Sequence, residues 1–342
     1  MNAFFYGILK GINSFVGNWG VAIILFTILI RLLLTPLDMK SRAGMRKMSK
    51  LQPQLALLQK KYANDREKLN AKTAELYRKE HVNPLSSCLP LLLTWPILII
   101  IFGAMRSAAN DQLLHQMTRL VSGEEPQLER FLWIKNLWMP DSLLKYAYPD
   151  AATLKGISSD LWQDWFTELQ KSDAWINGTL PESIRSLNLT AANFNSDNLA
   201  GTIDKLIEAI KAIEINGDLP YANVYKETQL DIWLIGSVKE TFNGLFLLPA
   251  LSAGSQILMT KISSMGQPKQ EPAPGQPNTG KFMQIFFPLL SVYFCLTYTA
   301  SFALYWVAGN FASLAQTVLI NKYLDNKEKK ALNMVAGEGT VK

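Results

Sequence analysis

The sequence predicts an all-α integral membrane protein with five transmembrane helices, a cytoplasmic helical hairpin and an inserted helical extracytoplasmic domain. Three observations carry this fold class. Only 18% of the 342 residues are charged and 49% are apolar, against about 25% charged in soluble domains. The charge is segregated: Pro84 to Met105 holds none, while Met39 to Asn83 holds twelve basic and four acidic residues. Within the polar stretches, apolar residues recur at the three- and four-residue spacing of a helix. A purely soluble chain and a disordered one are both excluded. Cys88 and Cys295 lie in apolar stretches and make neither a disulfide scaffold nor a cysteine-rich zinc site, and His81 and His115 stand alone. No cofactor or metal is expected.

Each element follows in chain order. Residues 1–17 lack a basic n-region and a small-residue cleavage site, so they do not read as a removed signal peptide. Phe4, Ile8, Ile12 and Phe15 recur at helical spacing, as an interfacial helix on the outer face would require. Residues 18–38 are the first span, uncharged from Trp19 to Leu37 apart from Arg31. Residues 39–83 read as the cytoplasmic hairpin, with Met48, Leu51, Leu55, Leu58 and Tyr62 on one arm and Leu69, Leu76 and Tyr77 on the other. Asn64 with Glu67 resembles a capping box at the start of the second arm, and Pro53 marks the start or a kink of the first. Residues 84–106 are the second span.

Residues 107–240 form the extracytoplasmic segment, with its inserted domain at about 141–229. Helices are expected around Ser158 to Leu169, where Leu161, Trp162, Trp165 and Phe166 cluster, and along Leu199, Ile203, Leu206, Ile207, Ile210 and Ile213, stopped by Asn216-Gly217. Trp133 and Trp138 sit where an aromatic membrane belt would. The third span is 241–262, followed by a Pro-, Gly- and Gln-rich linker at 263–281. About forty uncharged residues from Phe282 are twice one span, with a turn near Thr297, Thr299 and Ser301, giving spans at 282–299 and 301–322 and a tail at 323–342. The basic hairpin and the tail lysines stay cytoplasmic. Ser107 to Glu240, with nineteen acids against eleven bases, is translocated, so the N-terminus lies outside and the C-terminus inside.

Arg31 is the informative residue. It lies roughly 10 Å along the helix from Asp38, and a mid-membrane arginine costs about 2.5 to 3.5 kcal/mol on insertion scales. It can snorkel, bond carbonyls or sit in water. Thr27 shares its face one turn away, and the other spans supply Gln256, Asn310, Gln316, Ser291 and Thr94. These groups either glue helices together or line a wet electropositive cavity open to the cytoplasm. The hairpin likewise either connects two spans or meets anionic lipid, ribosomal RNA or a nascent chain. There is no P-loop, HExxH or nucleophile elbow, so no enzyme is expected. A small-anion transporter or channel bound through Arg31, and a scaffold acting through its outer domain, remain open on residues alone.

The motifs GNWGVAIILFTILIRLLLTPL, NPLSSCLPLLLTWPILI, FLWIKNLW, LPALSAGSQILM and FALYWVAGNFASLAQT, in this order around a basic hairpin, resemble the YidC/Oxa membrane protein insertases. They cover about two thirds of the chain. The resemblance implies a five-helix core with a hydrophilic groove facing cytoplasm and lipid, and an insertase and chaperone for small membrane proteins that works without ATP. By position Arg31 is the groove arginine with Thr27 beside it, Gln256 and Trp306 line the groove from the third and fifth spans, and Asn310 belongs to the same set. Expected partners are nascent membrane proteins and membrane lipids, with the ribosome and a Sec-type translocon as candidates, and the chain is expected to act as a monomer. Ser86-Ser87, Thr94-Trp95 and Thr299-Ala300-Ser301 depart from the family pattern, and the outer insertion is far longer than the family's short connection.

Overall fold

The computed structural model of the protein describes residues 2–82, 89–225, 241–264 and 279–338. Most of the expected linker, with Ser86, Ser87 and Cys88, lies outside them. Among the described residues there are thirteen α-helices, one 3₁₀ turn and no strand. Helix α1 (Asn2–Val16) buries Leu9 completely and donates the Tyr6 hydroxyl to Asp111 Oδ2 at 2.6 Å. Burial and that carboxylate push the Tyr6 phenol up. Phe4 and Phe15 are 68% and 94% exposed, so part of the apolar stripe read from the sequence faces away from the packed side.

Helix α2 (Trp19–Lys61) runs unbroken for 43 residues through Pro36 and Pro53. The expected boundary at residue 38 is therefore not a break in the helix: the residues read as the first span and those read as the first hairpin arm lie in one helix. Helix α3 (Arg66–Lys79) is capped by Asp65, which accepts from Lys68 N at 3.0 Å, and not by Asn64. Leu51, Leu55 and Val82 form a small core joined by Met48, Leu76 and Tyr77, so the far end of α2 packs against α3 and the residues after it.

Helix α4 (Leu89–Val121) contains Pro96 and continues 15 residues past the expected end at 106. Short helices follow: α5 (Ala151–Leu154), α6 (Ser159–Gln170), α7 (Asp173–Ile176), α8 (Glu182–Arg185), α9 (Leu199–Lys211) and α10 (Pro220–Val224). Trp162, Trp165 and Phe166 of α6 are buried against Phe194, whose ring stacks on Phe166 at 4.9 Å. Leu161 is 37% exposed; Leu169 takes the buried place instead. Helix α9 buries Leu199, Ile203, Leu206, Ile207 and Ile210 and ends at Lys211. Asn216 and Gly217, both at positive φ, make the next tight turn rather than the helix stop, with Ile215 and Asp218 bonded in both directions. Trp138 is wholly buried, edge-on to Trp19 at 5.2 Å, so it is a core residue and not part of an exposed belt.

Helix α11 (Leu247–Ser264) begins six residues later than the expected third span. Helices α12 (Thr279–Thr297) and α13 (Ala300–Glu338) meet at the expected turn, and α13 runs through the region read as a tail. By length and composition three helices can cross a membrane among the described residues: Trp19–Lys61, Pro96–Val121 and Ala300–Lys330. Gln284–Thr297 is a shorter apolar helix. The chain divides into two compact units, one of Met1–Ile24, Phe102–Ala253 and Leu290–Trp306, the other of Leu25–Ile101, Gly254–Leu289 and Val307–Lys342.

Candidate functional site

The candidate site lies in the second unit and is built on α2. Leu25, Ile28, Leu29, Leu32 and Leu33 are exposed, whereas Phe26, Thr27 and Ile30 are buried. Five large apolar side chains turned outward on one helix are costly in water and natural in hydrocarbon. The inward side carries the polar groups. Thr27 is 1% exposed and Arg31 is half-buried one turn on. Both face Gly309 of α13: a Cβ there would lie 3.4 Å from Arg31 Nη2 and 3.8 Å from Thr27 Cγ2. A single methyl would only touch the guanidinium there, whereas a larger side chain would compete with it for space. No ion pair among the described residues includes Arg31. Asp38 feels the charges of Arg31 and Arg42 without closing on Arg31 as an ion pair.

Pro36 shapes the next turn. It removes the donor for the Leu32 carbonyl and crowds it, loosening the helix locally. One residue earlier the Arg31 carbonyl accepts from Gln316 Nε2 at 2.7 Å and from Thr35 Oγ1 at 3.0 Å, and Gln316 Nε2 also reaches Thr35 Oγ1 at 2.8 Å. Gln316 Oε1 is buried with no donor among the described residues, so this contact is polar without being a closed network. Farther along, Arg42 Nη2 donates to Thr317 Oγ1 at 2.6 Å, Arg46 pairs with Asp325 at 2.6 Å and Lys50 with Glu328 at 3.1 Å. Positions rise together on α2 and α13, so the two helices run parallel.

The expected residues are thus only partly brought together. Thr27 and Arg31 share Gly309. Asn310 donates from Nδ2 to Ser255 Oγ of α11 at 2.9 Å. Gln256 is half-buried, its carbonyl accepting from Thr260 Oγ1 at 2.9 Å, and its side-chain amide bonds nothing among the described residues. Adjacent helical residues diverge by about 100°, so Ser255 rather than Gln256 takes the bond to α13. Trp306 belongs to the first unit, its ring against Phe294 and Phe302, its Nε1 buried without an acceptor among the described residues. Thr94 is a position whose side chain lies outside the described residues. Sequence reasoning missed Gly309, Thr35 and Ser255. Gly309 had a signal, as the one glycine in the uncharged run from Phe282 to Asn321.

The profile of the 60Kd inner membrane protein family matches residues 11–181 and 197–328, most of the chain and all of this site. The chain belongs to that family. It is 50% identical over 100 residues to the membrane protein insertase YidC of Fusobacterium nucleatum, covering 29% of this chain and 49% of that protein. Likewise it is 40% identical over 134 residues to the insertase YidC of Anaeromyxobacter dehalogenans, covering 39% of this chain and 22% of that protein. A third relative, the insertase YidC of Francisella tularensis subsp. novicida, is 42% identical over 136 residues, with 40% of this chain and 22% of that protein covered. The matched stretches therefore span about half the length of the first relative and about a fifth of the other two. As a member of the 60Kd inner membrane protein family with helices able to cross a bilayer, the protein is membrane-integral.

Proposed function

We propose that the protein inserts small membrane proteins into the bilayer and assists their folding, without ATP, through a hydrophilic groove open to cytoplasm and lipid. In this reading α2, α4, α11, α12 and α13 are five spans, the N-terminus lies outside, and α3 with the far end of α2 forms a cytoplasmic hairpin. The observation that carries it is the half-buried Arg31 guanidinium beside Gly309, closing no ion pair among the described residues, on a helix whose opposite face is apolar and exposed. Family membership and the insertase relatives support the same reading. Thr27, Gln256 and Asn310 are the proposed companions of Arg31. Clients are nascent membrane proteins, lipid forms one wall, and the chain acts as a monomer. The exposed lysines Lys327, Lys329 and Lys330 offer a basic surface for a ribosome, and a Sec-type translocon is a candidate helper.

The energetics permit this without a nucleotide. A client helix of about 20 apolar residues gains about 6 to 12 kcal/mol on insertion. Each charge crossing the centre costs about 2.5 to 3.5 kcal/mol. Short tails with few charges can therefore cross once the dry path is shortened. An acidic tail at about 4 Å from Arg31 gains about 4 kcal/mol at an effective dielectric near 20, before desolvation. That holds a tail briefly and releases it. The test is insertion of a one-span client with an acidic tail into nucleotide-free proteoliposomes. Wild type should insert it, Arg31→Lys should largely keep the rate, and Arg31→Glu should lose about tenfold or more. Insertion no faster than in protein-free liposomes would sink the proposal.

A further inference from the structure

The first unit contains a cavity of about 310 Å³ that shares no residue with the proposed groove. Phe102 and Met105 of α4 and Phe302 of α13 give it an apolar floor. Phe102 meets Phe302 edge-on at 5.3 Å, which fixes the two rings. Its charged lining residues are Arg106 and Lys145, and no carboxylate lines it. Arg106 is exposed and donates from Nη2 to the Gly156 carbonyl at 2.8 Å. A guanidinium has five N–H donors, and the others of Arg106 make no bond among the described residues. Lys145 Nζ is shared with Asp150 Oδ2 at 3.2 Å, so the two cations keep one net positive charge between them.

Depth narrows the ligand. Arg106 is the first charge after the uncharged run that ends at Met105, and Thr299, also in the lining, follows the end of α12. If α4 and α12 are spans, as the proposed function requires, the cavity lies where hydrocarbon gives way to headgroups. We propose that it binds the headgroup of an anionic phospholipid. The phosphodiester sits on Arg106 and Lys145, and the glycerol with its first methylenes lies over Phe102 and Phe302. A planar guanidinium fork suits a phosphate. The volume is at the low end of ligand pockets, enough for a headgroup whose acyl chains remain in the bilayer.

The test uses the full chain in phosphatidylcholine vesicles doped with a phosphatidylglycerol whose headgroup carries a photoactivatable group. Labelled peptides are mapped by mass spectrometry. Wild type should label around Arg106 and Lys145. The double variant Arg106→Gln, Lys145→Gln should label there about tenfold less, the loss of roughly one charge-assisted phosphate contact. Ala152 is an exposed residue of the lining, so Ala152→Trp caps the mouth without entering the core and should give the same loss. Three results would overturn the proposal: unchanged labelling in both variants, equal labelling by a phosphatidylcholine probe, or full suppression by millimolar inorganic phosphate, which would mean a soluble anion. Client insertion is measured on the same vesicles. Labelling that persists where wild type fails to insert clients keeps the lipid site and removes the insertase reading. Insertion that persists where labelling is absent does the reverse.

Discussion

The first unit holds an aromatic core, although Phe4 and Phe15 face outward. Trp138, Trp162, Phe166 and Phe194 are almost wholly buried, and so are Asn136 and Asn243, which are fully bonded, Asn243 Nδ2 lying 2.9, 2.9 and 2.8 Å from the carbonyls of Asn136, Met139 and Pro140. The second unit turns many apolar side chains outward along its long helices. Leu32, Leu33, Ile285, Leu289 and Leu319 are each more than 60% exposed, while Thr27, Ser41, Ser255 and Thr317 are buried. A water-solvated body hides its apolar groups; a lipid-solvated one can turn them outward and keeps its polar groups inward, where they still need partners. Both units hold buried polar atoms with no partner among the described residues, Trp138 Nε1, Asp141 Oδ1 and Trp306 Nε1 in the first and Gln316 Oε1 in the second, and the second also holds the half-buried Arg31, which closes no ion pair among the described residues.

Variants can break this contrast. The largest effect is expected from Trp162→Ala, which empties an aromatic cluster and should cost about 3 to 5 kcal/mol. Protease cleavage between Ala151 and Lys211 should accelerate strongly, read by gel, while client insertion through the second unit changes far less. Asn243→Ala comes next, stranding carbonyls of buried residues at about 1 to 3 kcal/mol, seen as a lower unfolding midpoint in detergent. Gly309→Leu should invert the pattern: a modest overpacking cost of about 1 to 3 kcal/mol, but about a tenfold fall in insertion of acidic-tail clients, because the side chain would occupy the space of the Arg31 guanidinium. The smallest effect belongs to Arg46→Ala with Lys50→Ala. Exposed pairs are worth about 0 to 1 kcal/mol and fade with salt, so the midpoint should barely move and less still at high ionic strength.

What was legible in the sequence follows the same division. Periodicity found the faces of α6 and α9, because a soluble helix writes its buried side as an apolar stripe. It misplaced Leu161, Trp138 and the Asn216-Gly217 turn, where tertiary neighbours and a hairpin-like turn decide. Hydropathy marked α2 and the α12–α13 turn and picked out Arg31 as the lone charge. It could not show that α2, α4 and α13 continue well beyond their apolar runs, since a helix does not end where its hydrophobicity does. Nor could it find the partner face. Gly309 contributes by lacking a side chain, and Ser255 by standing one residue from Gln256, which looked the more polar choice.

The central claim is that Arg31 sits in a watery space reached from the cytoplasm alone. With Cys88 and Cys295 replaced by serine, Arg31→Cys can be offered a membrane-impermeant thiol reagent from either side of oriented vesicles. The account predicts rapid modification from the cytoplasmic side and none from the outside. Modification from neither side, or from the outside, would contradict it.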